Sequence, residues 1–126
     1  MKQFIEKKVD FGVTDAPLTQ EEEKQISSDV VHVPETIGLV VAAYNLPGLP
    51  TNALKLTGPI LADIFLGKIT KWNDTEIQSI NSDISLPPHD IVVVHRSDSS
   101  GTTFVWTGYL SNISSILNQQ IGNASQ

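Results

Sequence analysis

Residues 95–110, HRSDSSGTTFVWTGYL, hold the side chains whose types and spacing could do chemistry. Arg96 offers a planar, two-pronged donor that suits a tetrahedral oxyanion. Ser100 and Thr102 add hydroxyl donors, and Gly101 lets the backbone approach a ligand closely. An apolar run precedes this stretch and a helical pattern follows it, so free N–H groups at the helix start would face the same ligand. The combination predicts a site for a small oxyanion such as phosphate.

Two other interpretations of this stretch compete with the oxyanion site. In the first, Asp98 or Ser99 caps the helix and Arg96 forms a surface ion pair, with no ligand. In the second, His95, Asp98 and Ser100 form a nucleophilic triad. The triad is disfavoured because its members are crowded into one short stretch and no GxSxG elbow presents the serine. We therefore expect no catalytic residue here and no enzyme, and an enzyme that acts on a phosphorylated substrate stays open as an alternative.

Nucleotide and metal sites are disfavoured by the spacing of the residues they need. The sequence GKIT at residues 67–70 places Ile69 where a nucleotide P-loop has Ser or Thr, and no glycine stands at the required upstream spacing. His32 and His89 have no neighbours at metal-ligand spacing, and the chain has no cysteine. We expect neither a metal nor another cofactor.

Composition and charge describe an ordinary globular chain. Its 126 residues, 40% hydrophobic and 17% charged, suit one domain core. A net charge of −6 argues against nucleic acid, because duplex binding needs clustered lysines and arginines. The longest apolar run, residues 37–44, is far below the roughly 20 residues of a membrane helix, and the first residues lack the apolar core of a signal peptide.

The elements that must position these residues alternate between strand and helix patterns. Strands are predicted at residues 9–13, 30–33, 37–44 and 90–94, and the last three are apolar enough to be buried in a parallel sheet. Thr19 and Glu22 have the spacing of a capping box, so residues 20–26 are predicted to be helical. Further helices are predicted at the apolar stripe between Pro59 and Gly67, after Asn73 and Asp74, and through residues 104–109.

Four motifs of this chain resemble those of the phosphate-binding proteins of phosphate ABC importers. They are TDAPL at residues 14–18, YNLPGL at 44–49, LGKITKWND at 66–74 and RSDSSGTTF at 96–104. The likeness runs in the same order from about Val9 to Leu110. Four motifs in register are far more specific than one, so the chain is identified as a member of that family, as a shortened chain or fragment.

The resemblance implies an α/β fold of the type II periplasmic-binding-protein kind, in partial form. Family members have two lobes and are roughly two to three times this length, at about 100 to 200 residues per domain. Residues 1–33 would be a remnant of the first lobe, and residues 34–126 the incomplete α/β domain of the second. Part of the family's anion-binding shell would then be missing, which predicts weak phosphate binding or none.

The resemblance also assigns roles to the residues of the site. Arg96, Ser100, Gly101 and Thr102 would donate hydrogen bonds to phosphate from the second lobe. Asp15, in TDAPL, would accept the proton of a protonated phosphate, which sulfate lacks at neutral pH. Asp98 would lie behind the ligand and hold Arg96. The alternative for Asp15 is a loop aspartate that caps a nearby turn.

The partners and the location that we expect come from the same resemblance. They are inorganic phosphate, the membrane permease of a phosphate ABC transporter, and a periplasmic or cell-surface setting. The function would be solute binding in phosphate transport. The alternative is a truncated, non-transporting relative that acts as an interaction or dimerisation module, with a homo-oligomer as its assembled form.

Overall fold

The structure is a computed structural model, and it describes residues 2–26, 28–50, 52–122 and 124. The described residues form six helices: α1 (Lys2–Ile5), α2 (Gln20–Glu23), α3 (Gly58–Phe65), α4 (Thr75–Ser79), α5 (Gly101–Ile113) and α6 (Ser115–Gln120). Across these same ranges the β-structure is limited to an isolated antiparallel bridge between Lys71 and Asp90. No helix in them is both long enough and apolar enough to cross a membrane.

The chain divides into two compact units, Met1–Val40 and Val41–Gln126. In the first unit, α2 begins at the predicted capping box. The Thr19 hydroxyl accepts from the Glu22 N–H, and the Glu22 carboxylate accepts from the Thr19 N–H at 2.9 Å. The helix ends at Glu23, earlier than the predicted residue 26. The boundary between lobes that the sequence predicts at residues 33 and 34 stays a prediction. A division into compact units does not show to which lobe of the family each unit corresponds.

The second unit is built around α3, whose two faces pack against different apolar clusters. Pro59 lies in the first turn of α3, and Gly67 follows the helix with a left-handed φ of 70°, as the sequence predicts. One cluster of buried residues comprises Leu46, Ile60, Ile64, Ile69, Ile77 and Leu86. The other cluster joins α3 to α5 and α6, and its buried residues are Ala62, Leu110 and Leu117.

The LGKITKWND motif positions the segment that leads into the candidate site. The Trp72 N–H donates to the His89 carbonyl at 3.0 Å, and the Ile91 N–H donates to the Thr70 carbonyl at 2.8 Å. Between these two bonds, the Lys71 ammonium lies 2.7 Å from the Asp90 carboxylate. Asp74 then caps α4, as predicted, by accepting from the Glu76 N–H. This motif therefore anchors the chain five residues before Arg96.

The four predicted strands are not formed as strands within the described residues. The segments 9–13, 30–33, 37–44 and 90–94 have no ladder, apart from the single bridge at Asp90. Many of their apolar side chains stay in solvent: Ile37 is 93% exposed and Val94 is 86% exposed. Tyr44 and Ile91 are partly buried against the cluster of the second unit. A strand needs hydrogen-bonding neighbours along its length, and the described chain supplies these segments with none beyond the contacts of Asp90 and Ile91 with the LGKITKWND motif. The predicted parallel sheet, and with it the α/β arrangement, is thus not observed in this part of the chain.

Candidate oxyanion site

Arg96, the one arginine in the sequence, is held by Asp98 in a two-pronged ion pair. Its Nε donates to Asp98 Oδ1 at 2.8 Å, and its Nη2 donates to Oδ2 at 2.5 Å. A guanidinium carries five N–H donors in a plane, so three remain on the edge that faces away from Asp98. Both side chains are solvent-exposed, at 59% and 65%. The pair therefore fixes the orientation of a cation that still offers donors to a ligand.

The ion pair also fixes the charge state of both partners. Hydrogen bonding to Arg96 lowers the pKa of the Asp98 carboxyl below its ordinary value. Hydrogen bonding to Asp98, and its negative charge, raise the pKa of the Arg96 guanidinium. Each group favours the charged form of the other, so the two-pronged contact persists at neutral pH.

The first turn of α5 begins at Ser100, which is buried and caps the helix. Its hydroxyl accepts from the Thr103 N–H at 3.3 Å, and its carbonyl accepts from the Phe104 N–H at 3.0 Å. The N–H groups of Gly101 and Thr102 have no recorded acceptor among the described residues. No acidic side chain lies in the first turn. The start of α5 therefore offers two unused N–H donors at the positive end of the helix dipole, five and six residues after Arg96.

Asp15 belongs to the first unit, whereas the other predicted site residues belong to the second. It is exposed and lies in a turn in which the Thr14 hydroxyl accepts from the Ala16 N–H at 3.2 Å. Thr14 caps that turn, so the alternative role of Asp15 as a turn cap is not what the structure has. Within the described residues no hydrogen bond to the Asp15 carboxylate is recorded, so its oxygens are free to accept one.

The competing interpretations of residues 95–110 fare differently. The helix cap is Ser100 and neither Asp98 nor Ser99, although the ion pair between Arg96 and Asp98 is formed at the surface. His95 Nδ1 lies 2.9 Å from the carbonyl of Arg96, and no hydrogen bond to Ser100 is recorded for it in the described chain. The nucleophile and base of the disfavoured triad are thus not paired.

Other concave or acidic regions do not suit an anion. An open concavity of about 640 Å³ lies in the first unit, lined by Glu23, Ile26, Ser28, Asp29 and Val30. Its two carboxylates repel an anionic ligand. Across the described residues, no group of three or more His, Asp or Glu side chains is arranged to hold a metal ion.

Two polar contacts that position the chain have no local signal in the sequence. The Lys71 to Asp90 pair joins charges 19 residues apart, and the Leu18 N–H donates to His32 Nε2 across 14 residues at 3.2 Å. Opposite charges and histidines are common, so only a known pairing of the two segments could have identified these contacts. The motifs around residues 14–18 and 66–74 are nevertheless where both contacts lie.

A family model described as a PBP superfamily domain matches residues 1–124. The phosphate-binding protein PstS of Haemophilus influenzae is 47% identical over 121 residues, which cover 96% of this chain and 36% of the relative. PstS of Pasteurella multocida is 47% identical over 121 residues, covering 96% and 35%. PstS of Methanocaldococcus jannaschii is 44% identical over 124 residues, covering 94% and 32%. The chain spans about a third of the length of these curated relatives.

Proposed function

The chain belongs to the PBP superfamily, and on that premise we propose that it binds inorganic phosphate as part of the solute-binding component of a phosphate ABC importer. The start of α5 is the observation that carries this proposal. There, two backbone N–H groups without acceptors follow an arginine whose outer edge is unused. Three relatives with 44% to 47% identity are named for phosphate binding, which supports the choice of this oxyanion.

The proposed binding mode uses donors of three kinds from one short stretch. The N–H groups of Gly101 and Thr102 would bind one face of the anion at the positive end of α5. The outer edge of Arg96 would bind a second pair of oxygens, while Asp98 keeps the guanidinium in place. The hydroxyls of Ser100 and Thr102 supply further donors. No covalent step is involved, because the task is capture and release.

For Asp15, the resemblance implies the role of selecting a protonated anion, and that role stays a prediction for this chain. A carboxylate accepts a hydrogen bond from hydrogen phosphate or dihydrogen phosphate, whereas sulfate would oppose it with a lone pair. An unpaired acceptor facing an anion costs about 1 to 3 kcal/mol where water is excluded, and less where the group is exposed, as Asp15 is. Selectivity would therefore come from a missing proton and not from size, because phosphate and sulfate have nearly the same shape.

Solvent sets the expected strength of binding by this chain alone. Arg96 and Asp98 are more than half exposed, so water and salt screen their interaction with an anion. We expect a dissociation constant of about 1 mM, which corresponds to about 4 kcal/mol. An extracytoplasmic location and a permease partner accompany the proposal, since both follow from a role in phosphate import.

Amide NMR is the experiment that tests phosphate binding at this strength. Phosphate titrated into labelled protein should shift the N–H signals of Gly101 and Thr102 in a saturable manner, and sulfate should do so less. Arg96→Ala should abolish the saturable shifts. Lys24→Ala, which removes one positive charge from the first unit, should leave them intact.

A charge placed in the first turn of α5 separates binding from folding. An acidic residue there stabilises a helix by about 0.3 to 1 kcal/mol, so Thr102→Asp should remain folded while it repels phosphate. Thr102→Asn has nearly the same shape without the charge and should retain phosphate-dependent shifts. Equal shifts in both variants would place the binding site elsewhere. The selective role of Asp15 would be removed if the phosphate response compared with the sulfate response were the same in Asp15→Asn as in the unaltered chain.

The exposed apolar segments favour a second candidate function, an interaction or dimerisation module. Val31, Ile37 and Leu39 are 80% to 93% exposed, more than a monomeric protein usually leaves open in one run. Sedimentation at rising protein concentration tests this candidate. A strict monomer at the highest concentration would remove dimerisation.

A further inference from the structure

Residues 33–43, VPETIGLVVAA, are a stretch of chain without internal support, named here the connecting segment. All of its residues are exposed, with Ile37 at 93% and Val41 at 74%. Within the described chain, no hydrogen bond or ion pair is recorded for any of them. The segment crosses the boundary between the two compact units, which falls between Val40 and Val41. Its backbone is therefore open to another molecule along its whole length.

The chain is held on either side of the connecting segment, each side within its own unit. Before the segment, His32 Nε2 accepts from the Leu18 N–H at 3.2 Å. After it, Tyr44 is partly buried against an apolar cluster, with its ring centroid 6.3 Å from that of Trp72. A tether that is exposed and unbonded between two anchored ends is the kind of chain at which proteolytic cleavage concentrates.

The side chains of the connecting segment select one class of endopeptidase. Residues 40–43 are Val-Val-Ala-Ala, a run of small aliphatic side chains. These side chains suit the small specificity pocket of an elastase-type enzyme, whereas the segment has no lysine or arginine for a trypsin-type pocket. A bound extended peptide pairs its backbone N–H and C=O groups with the enzyme, and those of this run are unpaired in the described chain.

We propose that residues 40–43 are a processing site, cut by an endopeptidase that accepts small aliphatic side chains. Water is the co-reactant: its oxygen bonds to the carbonyl carbon of Val41, the bond from that carbon to the Ala42 nitrogen breaks, and the nitrogen takes up the proton. The products are a new carboxyl terminus and a new amino terminus. This inference goes beyond the proposed function and does not rest on phosphate binding.

The position of the cut determines what each product carries. Every residue of the two apolar clusters of the second unit lies after residue 43, as do α3 to α6. The product that begins near residue 42 therefore keeps its core together with Arg96, while Asp15 leaves with the other product. Cleavage at this site separates the two units without opening either apolar cluster.

Residues 92–94, Val-Val-Val, are a competing site of the same side-chain class. The first and last residues of this run are 80% and 86% exposed. The run is held close to both ends, however, because the Ile91 N–H donates to the Thr70 carbonyl at 2.8 Å and the Arg96 to Asp98 ion pair follows directly. Fitting this run into a protease cleft would break these contacts, so the connecting segment should be cut first.

Limited digestion of the full 126-residue chain with pancreatic elastase tests the proposal. Intact-mass spectrometry should show one early cut within residues 40–43. The emission of Trp72 and Trp106, which both lie in the second unit, should not change with that cut. Urea below the unfolding transition should leave the rate of the first cut unchanged, after correction with a small peptide substrate, because a native site needs no global unfolding. A rate that rises with the unfolded fraction would overturn the proposal.

Paired substitutions show whether the enzyme recognises this run. Val41→Asp combined with Ala42→Asp places charges where the enzyme's pocket is apolar and should slow the first cut by about tenfold or more. Both positions are exposed and unbonded, so the chain should stay folded. Val92→Asp combined with Val94→Asp is the matched control and should leave the first cut unchanged. No early cut, a first cut outside residues 40–43, a tryptophan change that accompanies the cut, or equal slowing in both variants would contradict the assignment.

Discussion

Arg96 shows how a single surface residue acquires a defined orientation from its sequence neighbours. Exposed ion pairs contribute little to stability, and both side chains of this one are more than half exposed. Its importance is geometric: Asp98 takes the Nε edge and leaves the other edge of the guanidinium for a ligand. The resemblance implied that contact, and the structure places the Asp98 carboxylate against the Arg96 guanidinium two residues away.

The two-pronged contact has a defined pH range. Asp98 has a folded-state pKa below its ordinary value of 3.8, so the contact is complete above that value and is lost as the pH falls through the lowered pKa. The NMR shift of the Arg96 Nε–H, followed from neutral to acidic pH, should therefore report a midpoint below 3.8. Asp98→Asn should remove this titration. A midpoint at or above 3.8 in protein that circular dichroism shows to be folded would contradict the contact.

The side chain of Asn81 stabilises the second unit by hydrogen bonds to backbone groups. It is fully buried, and its side chain accepts from the Lys55 N–H and donates to the carbonyls of Lys55 and Ile77, each at 2.8 Å. Asn81→Ala leaves these three backbone groups without their partner and should lower the free energy of unfolding by about 2 to 4 kcal/mol. Urea unfolding followed by tryptophan fluorescence measures the change.

Two variants test whether the amide itself is required at position 81. Asn118→Ala removes an exposed asparagine from α6 and should change stability by less than about 0.5 kcal/mol. Asn81→Asp keeps the acceptor for Lys55 but turns a carboxylate toward the carbonyls of Lys55 and Ile77, so it should be at least as destabilising as Asn81→Ala at neutral pH. A near-neutral Asn81→Asp would refute the hydrogen-bonding assignment.

Gly58 controls the approach of α3 to α5 at the scale of elements. A Cβ at this position would lie 2.6 Å from Ile113 Cδ1 and 3.1 Å from the Tyr109 hydroxyl. Gly58→Ala should therefore cost about 1 to 2 kcal/mol by overpacking, against the gain that alanine usually brings to a helix. Thermal unfolding of the variant measures the net effect.

A double-mutant cycle identifies the contact that causes this cost. Ile113→Val removes the Cδ1 atom and, at a position 37% exposed, should by itself cost less than about 1 kcal/mol. In the Ile113→Val background, Gly58→Ala should be nearly neutral or stabilising. An equal cost of Gly58→Ala in both backgrounds would mean that Ile113 does not limit the approach of the helices.

The helices were the predictable elements because their signals are local. Thr19 with Glu22, Pro59 with Gly67, and Asp74 all stand where the sequence places them, since a cap depends on residues within one turn. The helix α6 was not predicted, although Ser114 caps it by accepting from the Leu117 N–H. Its local signal is short, and burial of Leu117 against Leu110 adds the tertiary packing that the sequence pattern did not show.

Strands could not be predicted from the same kind of pattern. The apolar, β-branched run at residues 37–44 has the composition of a buried strand, but a strand also requires neighbours that lie elsewhere in a chain. Residues 90–94 show this dependence on neighbours most clearly. A bridge forms at Asp90, where the LGKITKWND motif supplies a partner, and pairing stops after it because no further partner follows in the described chain. The sequence therefore predicted the local caps, whereas pairing between distant segments leaves no local signal, and the donors of the oxyanion site stay a prediction.

The two units differ in how much apolar surface each buries. Both apolar clusters of the second unit contain residues of α3, and both tryptophans pack against these clusters. The ring centroids of Trp72 and Tyr44 are 6.3 Å apart, and those of Trp106 and Phe65 are 5.6 Å apart. In the described part of the first unit, Leu18 is the buried apolar residue. Stability should accordingly be concentrated in the second unit, where the buried area is larger.

A matched pair of leucine substitutions tests that difference in the whole molecule. Leu110 and Leu18 are 2% and 7% exposed, so both are buried by the same measure. Leu110→Ala opens a cavity beside Trp106 and should cost about 2 to 5 kcal/mol, which lowers the fluorescence-detected melting temperature by about 10 °C or more. Leu18→Ala should move that transition by less than about 2 °C, while amide exchange near residue 18 accelerates. Equal shifts of the tryptophan transition would mean that the two units unfold as one cooperative body, and stability would then have to be assigned to the chain as a whole.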